Sequence, residues 1–83
     1  MQSVQQEAPT SYRLSGEVRG TNGDPLVGAN VIIQGTTGGT TTNLQGAFTL
    51  MVSAKDVLEI SSLGYTSQQI AVYGKTALSV TLN

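Results

Sequence analysis

From Tyr12 onward the chain alternates between apolar and polar positions. Tyr12, Leu14, Gly16 and Val18 interleave with Arg13, Ser15, Glu17 and Arg19, the period of two expected of a strand with one buried face. The same period recurs downstream. Residues 47–52 set Phe48, Leu50 and Val52 inward and Met51 outward; residues 57–62 set Leu58 and Ile60 inward and Glu59 toward water. Residues 67–72 make a further strand, and residues 77–82 set Leu78, Val80 and Leu82 inward. Val31-Ile32-Ile33 is a continuous β-branched run between Asn30 and Gly35, which predicts a central strand partly covered on both faces. Residues 40–42 predict a short strand after a mobile turn at Gly38-Gly39, because threonine favours strands and glycine weakens them.

Turn chemistry separates these runs. Asn22-Gly23-Asp24-Pro25 precedes the β-branched run, Asn43-Leu44-Gln45-Gly46 precedes Phe48, and Tyr73-Gly74-Lys75 precedes the last strand. Asn and Gly accept positive φ, and Pro fixes φ and removes a donor, so the chain reverses there and does not continue as helix. No stretch of ten residues carries a helical stripe. Seven strands with a turn signal at each gap predict an all-β fold, a seven-stranded Greek-key β-sandwich of immunoglobulin or transthyretin type. Residues 1–11 are polar, Gln-rich and aperiodic, and read as a disordered lead-in to a single domain at 12–83.

Composition narrows the chemistry. The 83 residues include no Cys and no His. The usual zinc ligands, thiolate nucleophile and general base near neutral pH are therefore missing. A chain of this size buries only about 60% of its unfolded surface, with no disulfide to help. Formal net charge is −1 and Arg13, Arg19, Lys55 and Lys75 are scattered, so no basic stripe suits nucleic acid. No apolar run approaches the length of a membrane-spanning helix. Met1–Gln6 lacks the cationic and apolar regions of a signal peptide, which leaves a cytoplasmic protein or one whose signal has been removed; the second is expected.

Candidate chemical groups fare poorly one by one. Asp56 and Glu59 are three apart, and on an extended strand that spacing puts them on opposite faces. Ser61 and Ser62 have no histidine partner for nucleophilic catalysis. Tyr65 after Gly64 reads as a corner tyrosine, its ring buried and its hydroxyl on a nearby backbone carbonyl. Tyr12 and Tyr73 are expected half-exposed; with no Trp in the chain they make a poor platform for sugar. No catalytic, cofactor-binding or metal-binding residue is assigned, and no cofactor is expected.

The succession Ser15-Gly16-Glu17-Val18, Gly23-Asp24-Pro25-Leu26-Val27-Gly28-Ala29-Asn30-Val31, Gly35-Thr36, Thr42-Asn43-Leu44-Gln45-Gly46-Ala47-Phe48 and Ser62-Leu63-Gly64-Tyr65 resembles the carboxypeptidase regulatory-like domain. The resemblance runs from about Arg13 to Leu82 and is closest to the N-terminal extensions of SusC-like TonB-dependent outer-membrane transporters. It implies a non-catalytic periplasmic accessory domain, a spacer or protein-interaction module in glycan or peptide uptake. Its partner would be a periplasmic protein or the transporter's own plug, with the isolated domain a monomer. The alternatives are an accessory domain of a secreted hydrolase or adhesin and, further off, a carbohydrate-binding module. The family commonly carries Asp where this chain has Asn43 and Gln45. Paired acids there would invite calcium; two amides predict an Asx-type turn with Gly46 at positive φ. The uncharged stretch 36–42 has no Lys, Glu or Pro to block a partner strand, so it reads either as a mobile hairpin with no partner or as a docking edge for a neighbouring periplasmic segment.

Overall fold

The computed structural model describes residues 11–83. The expected disordered lead-in lies outside the described residues except for Ser11, which opens the first strand. Among the described residues there are seven strands and no helix: β1 (Ser11–Gly20), β2 (Asn30–Ile33), β3 (Gly39–Thr41), β4 (Ala47–Ser53), β5 (Val57–Ser61), β6 (Gln68–Ala71) and β7 (Ala77–Leu82). They form a three-stranded sheet in the order β4-β1-β7 and a four-stranded sheet in the order β3-β2-β5-β6. β1 pairs antiparallel with β4 and parallel with β7, whereas every pairing in the larger sheet is antiparallel. This is the seven-stranded sandwich of immunoglobulin and transthyretin type that the alternating pattern predicts.

The inward positions meet as the period of two requires. Leu14 and Val18 of β1, Phe48 and Val52 of β4, and Val80 and Leu82 of β7 are buried against Val31 of β2 and Leu58 and Ile60 of β5. Each such side chain contributes about 1.5–3 kcal/mol on leaving water. Gly16 pairs across the ladder with Phe48, and a Cβ on it would lie 2.5 Å from the Phe48 ring. The missing side chain is what lets the only phenylalanine of the sequence lie over β1.

Two expectations are corrected in the larger sheet. β2 is central in order, but Ile32 is 37% exposed, so the run is not covered on both faces; an antiparallel sheet of a two-layer sandwich carries nothing on its outer side. β3 begins at Gly39, which pairs with Ile32, and the turn before it is pinned. The Thr36 hydroxyl donates to the Ile33 carbonyl at 2.9 Å and accepts from the Gly38 amide at 2.9 Å.

The strand directions sort the loops to two ends. Loops 21–29, 42–46 and 62–67 gather at the upper end, where β1 and β7 both finish in register at Gly20 and Leu82. Loops 34–38, 54–56 and 72–76 lie at the lower end with the start of β1.

Candidate functional site

The turn at Asn43 is built by its side chain. The Asn43 Oδ1 accepts from the amides of Gln45 and Ala47, each at 2.9 Å, and the Gly46 amide donates to the Asn43 carbonyl at 2.9 Å. Gly46 adopts φ 73°. Its carbonyl accepts from the Val18 amide at 2.7 Å, and a Cβ there would sit 2.6 Å from the Val18 carbonyl oxygen. This is the expected Asx-type turn. The amide oxygen is spent on two backbone donors, which is a structural and not a ligating arrangement.

Beside it stands a residue the sequence did not single out. Thr42, expected in the third strand, leaves it and is 5% exposed. Its hydroxyl donates to the Leu26 carbonyl at 2.5 Å and accepts from the Ala29 amide at 2.9 Å. Its own amide donates to the Ala29 carbonyl, and its carbonyl accepts from the Gly28 amide, both at 3.0 Å. Thr42 thus ties loop 21–29 to loop 42–46. Arg19 holds the start of the same loop, donating to the Gly23 carbonyl at 2.9 Å while paired with Glu17 at 2.8 Å; that pair is half-exposed and adds little stability.

The other groups do not converge. Asp56 accepts from the Ser53 amide at 2.8 Å and caps the lower turn, whereas Glu59 is exposed on the outer face of the larger sheet. Ser61 ends β5, and the Ser62 carbonyl accepts from the Tyr65 amide at 3.0 Å in a tight turn. The tyrosines divide the expected roles. Tyr65 packs against the core and lies over Gly20, but it is Tyr12 whose hydroxyl donates to a distant carbonyl, that of Lys75 at 2.8 Å. Tyr12 is also packed on the core, so at the lower end only Tyr73 stands free, 83% exposed, and one ring is no stacking platform.

The Thr-rich edge is short. Pairing to β2 turns the Thr40 backbone inward and leaves only Gly39 and Thr41 facing outward from β3, and an edge of that length is itself a defence against strand addition. An open cleft of about 390 Å³ between β3 and β4 is lined by Thr40, Thr41, Asn43 and Phe48 among others, with no ionisable side chain. Among the described residues no three His, Cys, Asp or Glu side chains converge, and no helix is long and apolar enough to cross a membrane, which says nothing of β-barrels.

The geometry defines a class: an immunoglobulin-type sandwich whose polar groups serve its own backbone. Residues 14–83 match the CarboxypepD_reg-like domain family, and the chain belongs to it. The TonB-dependent receptor SusC of Bacteroides thetaiotaomicron is 41% identical over 59 residues, 71% of this chain and 6% of that protein. The TonB-dependent receptor P26 of Formosa agariphila is 41% identical over 69 residues, 83% of this chain and 7% of that protein. The chain therefore spans under a tenth of these curated relatives. Among solved structures, one chain of a type II cohesin–X-dockerin complex from Acetivibrio cellulolyticus superposes with a TM-score of 0.65. The match covers 84% of this chain and 56% of that one at 22% identity, and speaks to fold alone.

Proposed function

We propose that this chain is a non-catalytic periplasmic accessory domain of a SusC-like TonB-dependent outer-membrane transporter for glycans or peptides. It acts as a spacer or protein-interaction module and carries no chemistry of its own. The observation that carries the reading is 41% identity to TonB-dependent receptors over most of the chain. The fold supports it in two ways. The polar side chains most engaged in the structure, Thr42, Asn43 and Asp56, are committed to backbone groups. The polypeptide also enters β1 at one end and leaves β7 at the other, so the ten residues of β1 hold its entry and exit points about 30 Å apart, at ~3.3 Å per residue.

The test is an in-frame deletion of residues 12–83 in the full-length protein, with uptake measured on whichever oligosaccharide or peptide supports growth through it. Lost uptake at unchanged outer-membrane abundance is the expected result. Replacement by an unrelated sandwich of equal length then restores uptake if spacing is the role, and fails to restore it if recognition is. Unchanged uptake after deletion overturns the reading.

A further inference from the structure

The turn that closes the upper end of β1 carries the only Asn-Gly pair of the sequence, Asn22-Gly23. The Gly23 amide donates to the Gly20 carbonyl and the Gly20 amide to the Asp24 carbonyl, each at 2.9 Å. Gly23 stands at φ 88°, where a residue with a side chain would be strained. Turn geometry thus sets a glycine directly after an asparagine. That pairing is chemically vulnerable: with no side chain on Gly23 to crowd the approach, its backbone nitrogen can act as a nucleophile toward Cγ of the Asn22 side chain.

The reaction needs water and no other reagent. The Gly23 N–H loses its proton to base, and the N–Cγ bond forms as Oδ1 takes the electron pair. The adduct collapses by expelling Nδ2, protonated, as ammonia. Water then opens the cyclic imide at either of its carbonyls, leaving aspartate, or isoaspartate with the main chain rerouted through the side chain. Asn22, Gly23 and Asp24 are all exposed, so water and hydroxide reach the turn.

The folded turn holds the reacting groups close together but aims one of them away. The Asn22 side chain lies over Gly20, with Oδ1 3.1 Å from where a Cβ would stand. That oxygen accepts from the Asp24 amide at 3.1 Å, a donor that would steady the developing oxyanion. Nδ2 donates to the Asp24 carboxylate at 3.0 Å. The nucleophile is the group out of line. In the cyclic imide the nitrogen stays planar and its new bond takes the direction the N–H had, so ring closure requires the Gly23 N–H to point at Cγ. It points instead at the Gly20 carbonyl, and Arg19 fixes the next peptide group by donating to the Gly23 carbonyl at 2.9 Å.

We infer that Asn22 is a latent deamidation site, shut by the native turn and opened whenever residues 20–24 come apart, with the Asp24 carboxylate as its latch. The change is lasting. Aspartate at position 22 sets a second carboxylate against Asp24 where Nδ2 now donates, and like charges at that range repel. Isoaspartate lengthens the backbone inside the turn. Either product weakens the closure between Gly20 and Asp24, so an opening that lasts long enough for the chemistry leaves a covalent record in the chain.

Peptide mapping by mass spectrometry tests this after incubation in warm, mildly alkaline buffer. One sample is folded and another is unfolded in guanidinium chloride at the same pH and temperature. Deamidation at Asn22 should be at least about tenfold slower in the folded chain, because hydrogen bonds of the turn must break before the Gly23 N–H can swing to Cγ. Asp24→Ala frees Nδ2 and should deamidate about fivefold faster than the folded parent; unchanged hydrogen exchange in β1 and β5 verifies that this variant is folded. Asn22→Asp, which supplies one of the two products directly, should unfold at a lower urea midpoint than the parent. A folded chain that deamidates within tenfold of the unfolded one, an Asp24→Ala chain no faster than the parent, or an Asn22→Asp chain as stable as the parent overturns the inference.

Discussion

At Thr42 one hydroxyl satisfies two backbone groups, the Ala29 amide and the Leu26 carbonyl, in a site almost closed to water. Thr42→Val keeps the shape and strands both, so it should cost about 1–3 kcal/mol, read as a lower urea midpoint at unchanged slope. Thr42→Ser keeps the hydroxyl and should cost clearly less. Asn43 gives a second contrast. Asn43→Ala removes the acceptor for two amides and should lose about 1–2 kcal/mol. A carboxylate accepts the same two donors, so Asn43→Asp should stay within about 0.5 kcal/mol of the parent by the same measurement. The two residues also mark how far the sequence could be read. Asn43 was legible because its partners lie two and four residues away, within the reach of turn chemistry. Thr42 was not, because its partners lie thirteen and sixteen residues upstream and nothing local sets it apart from Thr40 or Thr41.

The strands themselves were legible wherever one face is buried and the other wet. β1, β4, β5 and β7 alternate, and the inward sets expected for them are buried or, at Tyr12, Gly16, Leu50 and Leu78, half-buried. The pattern puts β3 one residue late because its threonines have no apolar partner to fix the phase, and only pairing to β2 does so. Sequence also does not show how the outer edge of β4 is managed. The Asn43 amide donates to the Ala47 carbonyl at 2.9 Å at one end of that strand. At the other, Asp56 takes the Ser53 amide while its own amide donates to the Ser53 carbonyl at 3.0 Å. Ladder alternation then leaves Thr49 and Met51 as the β4 residues turned away from β1 without partners among the described residues. Asn43→Ala combined with Asp56→Ala loosens both ends and lengthens the exposed edge. The double variant should scatter light sooner than either single one when held at equal protein concentration near its unfolding midpoint; equal onset would show that the edge is harmless.

Over the whole molecule, patterning dictated two layers but not which strands would be neighbours. Nothing in the alternation says that the last strand runs beside the first and in the same direction, since parallel pairing joins segments about sixty residues apart by shape alone. That pairing has a mechanical consequence. When tension is drawn between the start of β1 and the end of β7, the two strands are pulled past one another lengthwise. The six registered pairs from Ser15–Ala77 to Gly20–Leu82 share the load and must yield together. Pulling instead between Ser11 and Ser53, which face each other at the open end of an antiparallel ladder, peels β1 from β4 one rung at a time. Single-molecule stretching from residues 11 and 83 should therefore need several times the force required from residues 11 and 53, because rupture under load follows the unfolding barrier and not the equilibrium stability. A fold of marginal thermodynamic stability can in this way behave as a stiff link along one axis while remaining easy to open along another.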